Sequence, residues 1–200
     1  MNIRTRTLTL LALLLGSLPA LAQADWSLSK QQRGVSIYTR DHPDFPVKEY
    51  RAEVTVGVPL SQVIAFFEQT ARHAEWMAGV ADVQRPPKAP ETLLYILEMP
   101  FPFRNRCMWL RQTVESVEGR HTVSLHDTAG FPPEGTVLIP RVQGFWQFER
   151  ISSAQTRIIQ QFVTDPGEAM PDWLVNLFIV KHPYKTMRQV RAALEGQAVR

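Results

Sequence analysis

The chain has 200 residues, of which 44% are hydrophobic and 20% charged, and its formal net charge is +3. That composition excludes a multispan membrane protein, a fibrous chain and a disordered one, and a chain this long buries roughly 70% of its unfolded surface, enough for a full core without disulfides or metals. Arg4 and Arg6 lie in an N-terminal leader without acids, and the other Lys and Arg are scattered singly, so no concentrated basic face for nucleic acid is expected.

Residues 1–24 read as a secretory signal peptide: Arg4 and Arg6 open it, Leu8 to Leu15 is apolar, and Ala22-Gln23-Ala24 gives the small-x-small pattern for cleavage before Asp25. The stretch from Leu8 to Leu21 is too short to cross ~30 Å of hydrocarbon and contains Pro19. The single cysteine, Cys107, is far from that cleavage point and has no partner for an intrachain disulfide. The leader looks bacterial. Residues 25–200 are therefore expected to form one domain in the periplasm.

Period-2 patterns dominate that domain. Val35 to Tyr38 reads as a short strand. In Lys48 to Val56, residues Tyr50, Ala52, Val54 and Val56 share one face, as in a half-buried strand. Pro59 suits the first turn of a helix in which Val63, Phe66 and Phe67 are spaced i, i+3, i+4, ending near Thr70. A short helix over 72–77 carries Trp76. Strands are expected at Leu93 to Met99, Arg104 to Val117, Thr122 to His126, Phe145 to Arg150 and Arg157 to Val163. From Pro171 a last helix puts Leu174, Leu177, Phe178 and Lys181 on one face, continued by Met187, Val190 and Leu194 beyond Pro183, which should bend it. This order predicts an α+β fold: a curved antiparallel sheet around a long C-terminal helix, with short helices between the early strands. The space between helix and sheet is either filled by side chains or open as a pocket.

Several motifs then carry a resemblance in their order and spacing: Trp26-Ser27-Leu28 with Gly34-Val35-Ser36-Ile37-Tyr38, Lys48-Glu49-Tyr50-Arg51-Ala52, Pro59-Leu60, Glu75-Trp76, Pro100-Phe101-Pro102-Phe103 before Arg104-Asn105-Arg106, Gly144-Phe145-Trp146, and Asp165-Pro166-Gly167 leading to Met170-Pro171-Asp172-Trp173-Leu174-Val175-Asn176. Over about Trp26 to Leu194 the chain resembles the START domain family of lipid-binding proteins, within the helix-grip superfamily. It departs where Cys107 stands in the place of the family's usual acid and where Glu168 follows Asp-Pro-Gly.

The resemblance implies that Arg106 points into a cavity, where Met108, Leu110, Gln112 and Val114 would share its face, and that the last helix is a lid. Trp146 and Phe148 alternate on one strand, and Ile158, Gln160 and Phe162 on its neighbour. A mostly aromatic wall with a few polar groups suits an amphipathic ligand, and it equally suits a packed core with satisfied glutamines. The candidate ligand-binding set is Arg106, Met108, Leu110, Gln112, Trp146, Phe148, Gln160, Phe162, Leu174, Leu177, Phe178 and Lys181. His121 and His126 face opposite ways, and no metal, nucleophile-elbow, phosphate-loop or dinucleotide motif appears, so no cofactor, metal or catalytic residue is assigned. The loop from Gly130 to Gln143 is either an apolar tip that touches a membrane or gates the cavity, or a hairpin folded back on the core. The leading expectation is a non-enzymatic binder, carrier or sensor of a lipid or other hydrophobic small molecule. The alternatives are a cyclase- or hydrolase-like enzyme using Arg106, Glu98 and Tyr95, and an interaction module with a filled core.

Overall fold

A computed structural model describes residues 25–167 and 170–196; the expected leader lies outside the described residues. The sheet opens with β1 (Ser27–Gln32), β2 (Val35–Arg40) and β3 (Glu49–Val56), and after two helices continues with β4 (Val80–Gln84) and β5 (Thr92–Leu97). Five strands follow: β6 (Arg106–Val117), β7 (Arg120–Asp127), β8 (Val137–Leu138), β9 (Arg141–Ser152) and β10 (Gln155–Asp165). Their order is β1-β2-β3-β10-β9-β7-β6-β5-β4, antiparallel throughout, with β8 alone paired in parallel to the start of β6. The sheet curls without closing.

All seven expected strands are present. The three additional ones, β1, β4 and β8, lack the alternation that marks a half-buried strand. β1 and β4 are the two edges, and five of the six residues of β1 are exposed. Within β3 the alternation is as read, with Ala52, Val54 and Val56 buried on the concave side. On the convex side Glu49 accepts from Arg40 Nε at 2.6 Å and from Gln161 Nε2 at 2.6 Å, tying β2, β3 and β10 together.

After Pro59, α1 (Leu60–Phe67) buries Leu60, Val63 and Phe67. A 3₁₀ turn (Thr70–Arg72) and α2 (His73–Trp76) follow, and together they roof one end of the concave face. The other end lies under α3 (Asp172–Asn176), a π turn (Leu177–Lys181) and α4 (His182–Leu194), which run on without a break. The π turn is how the helix accommodates Pro183. Proline cannot donate to the carbonyl four residues back, and the preceding His182 N–H reaches Leu177 O, five residues back. The proline is absorbed by a widened turn, and helical backbone continues on both sides.

α4 is the fastened part of this helix. Met187 and Val190 are fully buried against the sheet. Thr186 Oγ1 accepts Ala78 N–H at 2.9 Å, Glu195 Oε1 accepts Gly57 N–H at 2.8 Å, and Arg191 Nη2 donates to Arg33 O at 2.8 Å. Gly79, with φ of 79°, sits where a Cβ would lie 2.2 Å from the His182 ring, so only glycine lets the α2–β4 turn and the helix approach this closely.

Gly79→Ala should therefore cost about 3 kcal/mol, combining backbone strain with a clash. Gly135→Ala, at φ of 77° with nothing within 4 Å, should cost about 1 kcal/mol. Urea unfolding of both variants is the measurement; equal losses would show that the close approach of helix and turn is not what Gly79 permits.

Candidate functional site

Between α4 and the concave face the chain encloses a cavity of about 130 Å³. Its floor is laid by alternate residues of neighbouring strands: Tyr50 on β3, Met108 and Leu110 on β6, Trp146 on β9, Gln160 and Phe162 on β10. Gly144 is paired with Phe162, and the Phe162 ring lies where a Gly144 side chain would be, 2.5 Å from an ideal Cβ. Glycine at this strand position lets that ring lie flat along the floor. The roof is Val175, Phe178, Ile179, His182 and Pro183, on and around the π turn.

Few polar groups enter this apolar space. Arg106 is 4% exposed, and its Nη1 donates to Pro166 O at 2.9 Å, linking the start of β6 to the segment that leads into α3. Gln160 is also 4% exposed, and its Oε1 has no hydrogen-bond partner. The buried Nδ1 of His182 has none either, and burial, with the Lys185 ammonium second, holds that imidazole down at about 4. Burial likewise pushes the Tyr50 phenol well up, keeping it neutral. Unpaired polar atoms in an apolar cavity are costly, and the cost is relieved by a ligand or water that supplies the missing partner.

The structure brings together Arg106, Met108, Leu110, Trp146, Gln160, Phe162 and Phe178 from the expected set. It places the others elsewhere. Gln112 and Phe148 line a second cavity, of about 120 Å³, beneath α1 and the 3₁₀ turn. Leu174 is fully buried yet not among the first cavity's lining, Leu177 is half-buried outside it, and Lys181 is exposed. The helix residues that line this cavity are Val175, Phe178, Ile179, His182, Pro183 and Thr186, a regular i, i+3, i+4, i+7, i+8, i+11 stripe about one residue out of phase with the expected one. Tyr50, Ile139, His182 and Thr186 were not in the expected set. Tyr50 was legible, since it shares the β3 face with the buried Ala52 and Val54.

The loop from Gly130 to Gln143 divides into an exposed tip and a second half that packs on the core. Its second half folds back, with Val137 N–H donating to Asn105 O, Ile139 N–H to Cys107 O, and Ile139 buried in the cavity wall. Its tip, Phe131, is 91% exposed. Phe101, on the β5–β6 loop, is 96% exposed, and Phe103 on the same loop meets the exposed Trp173 of α3 with ring centroids 6.3 Å apart. An open groove of about 700 Å³ lies beside α3, lined by His42, Lys48 and Asp165, and shares Val47, Pro166 and Ile179 with the cavity.

Of the three residues considered for an enzyme, Glu98 is exposed and outside the cavity lining, while Tyr95 gives its hydroxyl proton to His73. Among the described residues no three His, Cys, Asp or Glu side chains converge as a metal site, and no helix is long and apolar enough to cross a membrane.

No family model matches the chain. It is similar to an uncharacterised protein of Pseudomonas aeruginosa, 28% identical over 182 residues covering 88% of this chain and 89% of the other. It is 25% identical over 168 residues to phosphatidylcholine transfer protein of Homo sapiens, covering 79% of this chain and 78% of that one. Among solved structures it superposes on the STAR-related lipid transfer protein of Xanthomonas axonopodis with a TM-score of 0.74 and 26% identity, covering 85% of this chain and 98% of the other. The START helix-grip fold implied by the motifs is the fold observed.

His182 sets a pH dependence. Its unfolded-chain value is the ordinary 6.5 and its folded value about 4, so between these the unfolded chain binds the additional proton. Stability is full above about 6.5 and is lost as pH falls toward 4. His73, also held down chiefly by burial, acts in the same sense. His182→Gln should flatten the fall of the urea midpoint over that window; an unchanged slope would show that His182 is not held neutral.

Proposed function

We propose that this START-type chain binds one lipid, or a similar amphipathic small molecule, in the cavity beneath its C-terminal helix and carries it between membranes without chemical change. Lipid binding or transfer in general accords with the lipid-transfer proteins it resembles in sequence and fold. The observation that carries the reading for this cavity is Gln160, which lines it, is 4% exposed and has a carbonyl oxygen buried in the apolar wall without a partner. Such a group marks where a ligand's polar atom sits, and Arg106 lines the same cavity from the start of β6. The apolar floor supplies affinity at about 0.8 kcal/mol per buried CH₂. A hollow interior with an unpartnered acceptor supports ligand binding over the interaction-module alternative.

At about 130 Å³ the cavity is smaller than the roughly 300–1,000 Å³ of drug-sized ligand sites, so loading requires the roof to move. α4 is fastened to β2, β3, α1 and α2, whereas α3 is held through the fully buried Leu174 and leaves Trp173 and Asn176 exposed. The part that swings is thus α3 with the π turn, opening the cavity toward the neighbouring groove. The exposed Phe101, Phe131 and Trp173 suit a transient contact with a bilayer, where aromatic rings partition to the interface. The leader motif supports export to the periplasm; intact mass of the secreted protein should give Asp25 as its first residue, and an uncleaved chain retained in the cytoplasm would end that part of the proposal.

The test of binding is to purify residues 25–200 natively, extract with organic solvent and identify bound lipid by mass spectrometry, together with transfer of labelled lipid between vesicles. Gln160→Leu removes an unsatisfied acceptor and should leave the ligand-free melting temperature equal or higher while lowering lipid affinity about tenfold. Absence of any extracted lipid, with no thermal stabilisation by a lipid panel, would overturn the proposal.

A further inference from the structure

The second cavity adjoins the first through a shared wall. Tyr95 on β5, Leu125 on β7 and Trp146 on β9 line both spaces. Along each strand the inward residues follow in order. On β5, Leu93 faces the rear cavity, Tyr95 forms the wall and Leu97 faces the front one. On β7, Val123 lies behind Leu125, and on β9, Phe148 lies behind Trp146 and Val142 in front of it. The two hollows, of about 130 and 120 Å³, are therefore consecutive chambers along one trough, interrupted by a row of three side chains.

Tyr95 is the fixed member of that row. It is 2% exposed, and its O–H donates to His73 Nδ1 at 3.0 Å. The His73 Nε2–H donates in turn to Phe67 O at 2.7 Å, which sets the tautomer and anchors the pair to the end of α1. Trp146 is held by the rings of Phe67 at 4.8 Å and Trp76 at 6.0 Å.

The two chambers differ in chemistry. The front one presents the unpartnered Gln160 Oε1. In the rear one, Tyr95 and His73 satisfy each other and Phe67, and Leu93, Val123 and Phe148 are hydrocarbon. At its far rim Arg85 Nη2 donates to Thr70 Oγ1 at 2.9 Å and to Gln112 Oε1 at 3.5 Å, bracing the edge. Glu68, Thr70, Arg85, Gln112 and His121 bring polar groups to the outer part of this lining, so the apolar surface an alkyl chain would meet is the inner part, Leu93, Val123 and Phe148 beside Tyr95.

We propose that Tyr95, tied by its hydroxyl to His73, is an internal stop that limits the length of acyl chain the front chamber accepts, and that the rear chamber is an alkyl-binding site reached when this side chain gives way. The inference rests on the lipid-binding reading above and assigns its specificity. The polar end of the ligand stays near Gln160 while the chain end abuts Tyr95, so each methylene beyond the wall must displace a buried, hydrogen-bonded ring.

The experiment offers residues 25–200 a mixture of saturated fatty acids and lysophosphatidylcholines of graded chain length and reads the bound distribution by native mass spectrometry. Wild type should bind up to a cut-off length and fall sharply beyond it. Tyr95→Leu opens the wall, and because each further buried methylene multiplies affinity roughly fourfold, the preference for chains past the cut-off should rise at least ~tenfold. Tyr95→Phe keeps the ring and only releases it from His73; it should shift the profile less, in the same direction, and it serves if thermal melting shows Tyr95→Leu to be unfolded. Tyr95→Leu with Val123→Phe, which refills the rear chamber, should restore the original cut-off. If wild type binds the probes and the folded Tyr95 variants show its length profile unchanged, the stop is overturned while lipid binding stands. If wild type binds no probe of any length, lipid binding itself fails and the stop falls with it.

Discussion

A straight helix cannot touch a strongly curved sheet along its whole length, and the interior of this protein follows from that mismatch. α4 makes its contact at Met187 and Val190, which are fully buried against the sheet. From there toward the N-terminus the helix spans the trough, and the distance is filled only in part by Phe178, His182 and Pro183. Close packing is the norm in protein interiors, so a hollow persists here because both boundaries are independently fixed. The ladder hydrogen bonds of β3, β10, β9 and β7 set the floor. The Ala78–Thr186 and Gly57–Glu195 hydrogen bonds and the approach to Gly79 set the height of the roof.

The polar groups of the interior divide into two kinds. Tyr95, His73 and Thr186 are satisfied by the protein and hold elements in place. Gln160 Oε1 and His182 Nδ1, on residues that line the hollow, are buried without partners, and Nδ1 lies against Gly79. Satisfied groups specify geometry, and unsatisfied ones raise the free energy of the empty state and so favour its occupation.

The π turn connects sequence to motion. Pro183 removes one backbone donor, and the widened turn at Leu177–Lys181 keeps the helix continuous, with α3 held on the body through the fully buried Leu174 while Trp173 and Asn176 are exposed. The helix therefore has a fastened half and a lightly held half, and the join lies over the cavity.

Much of this was legible from the chain, and particular residues show where legibility stopped. The alternation of Tyr50, Ala52, Val54 and Val56 marked β3, and Trp146, Gln160 and Phe162 were read as one wall, because a strand buried on one face writes period two into its sequence. β1 and β4 were missed because an exposed edge strand buries no face. The stripe expected at Leu174, Leu177 and Lys181 is about one residue out of phase with Val175, Ile179, His182 and Thr186, which line the cavity, because apolar residues stand on both faces of this segment and the pattern alone does not set the phase. What the sequence determined by itself was a curved antiparallel sheet with a terminal helix and an aromatic wall containing Gln160, since hydrophobic periodicity and residue chemistry are local, while the inward place of Arg106 came from the family resemblance. Only the tertiary structure decided that Gln112 and Phe148 belong to a second chamber, that Tyr95 is pinned by His73, and that His182 needs Gly79. Each of these depends on how far apart residues distant in the chain come to rest, and no local pattern encodes that distance.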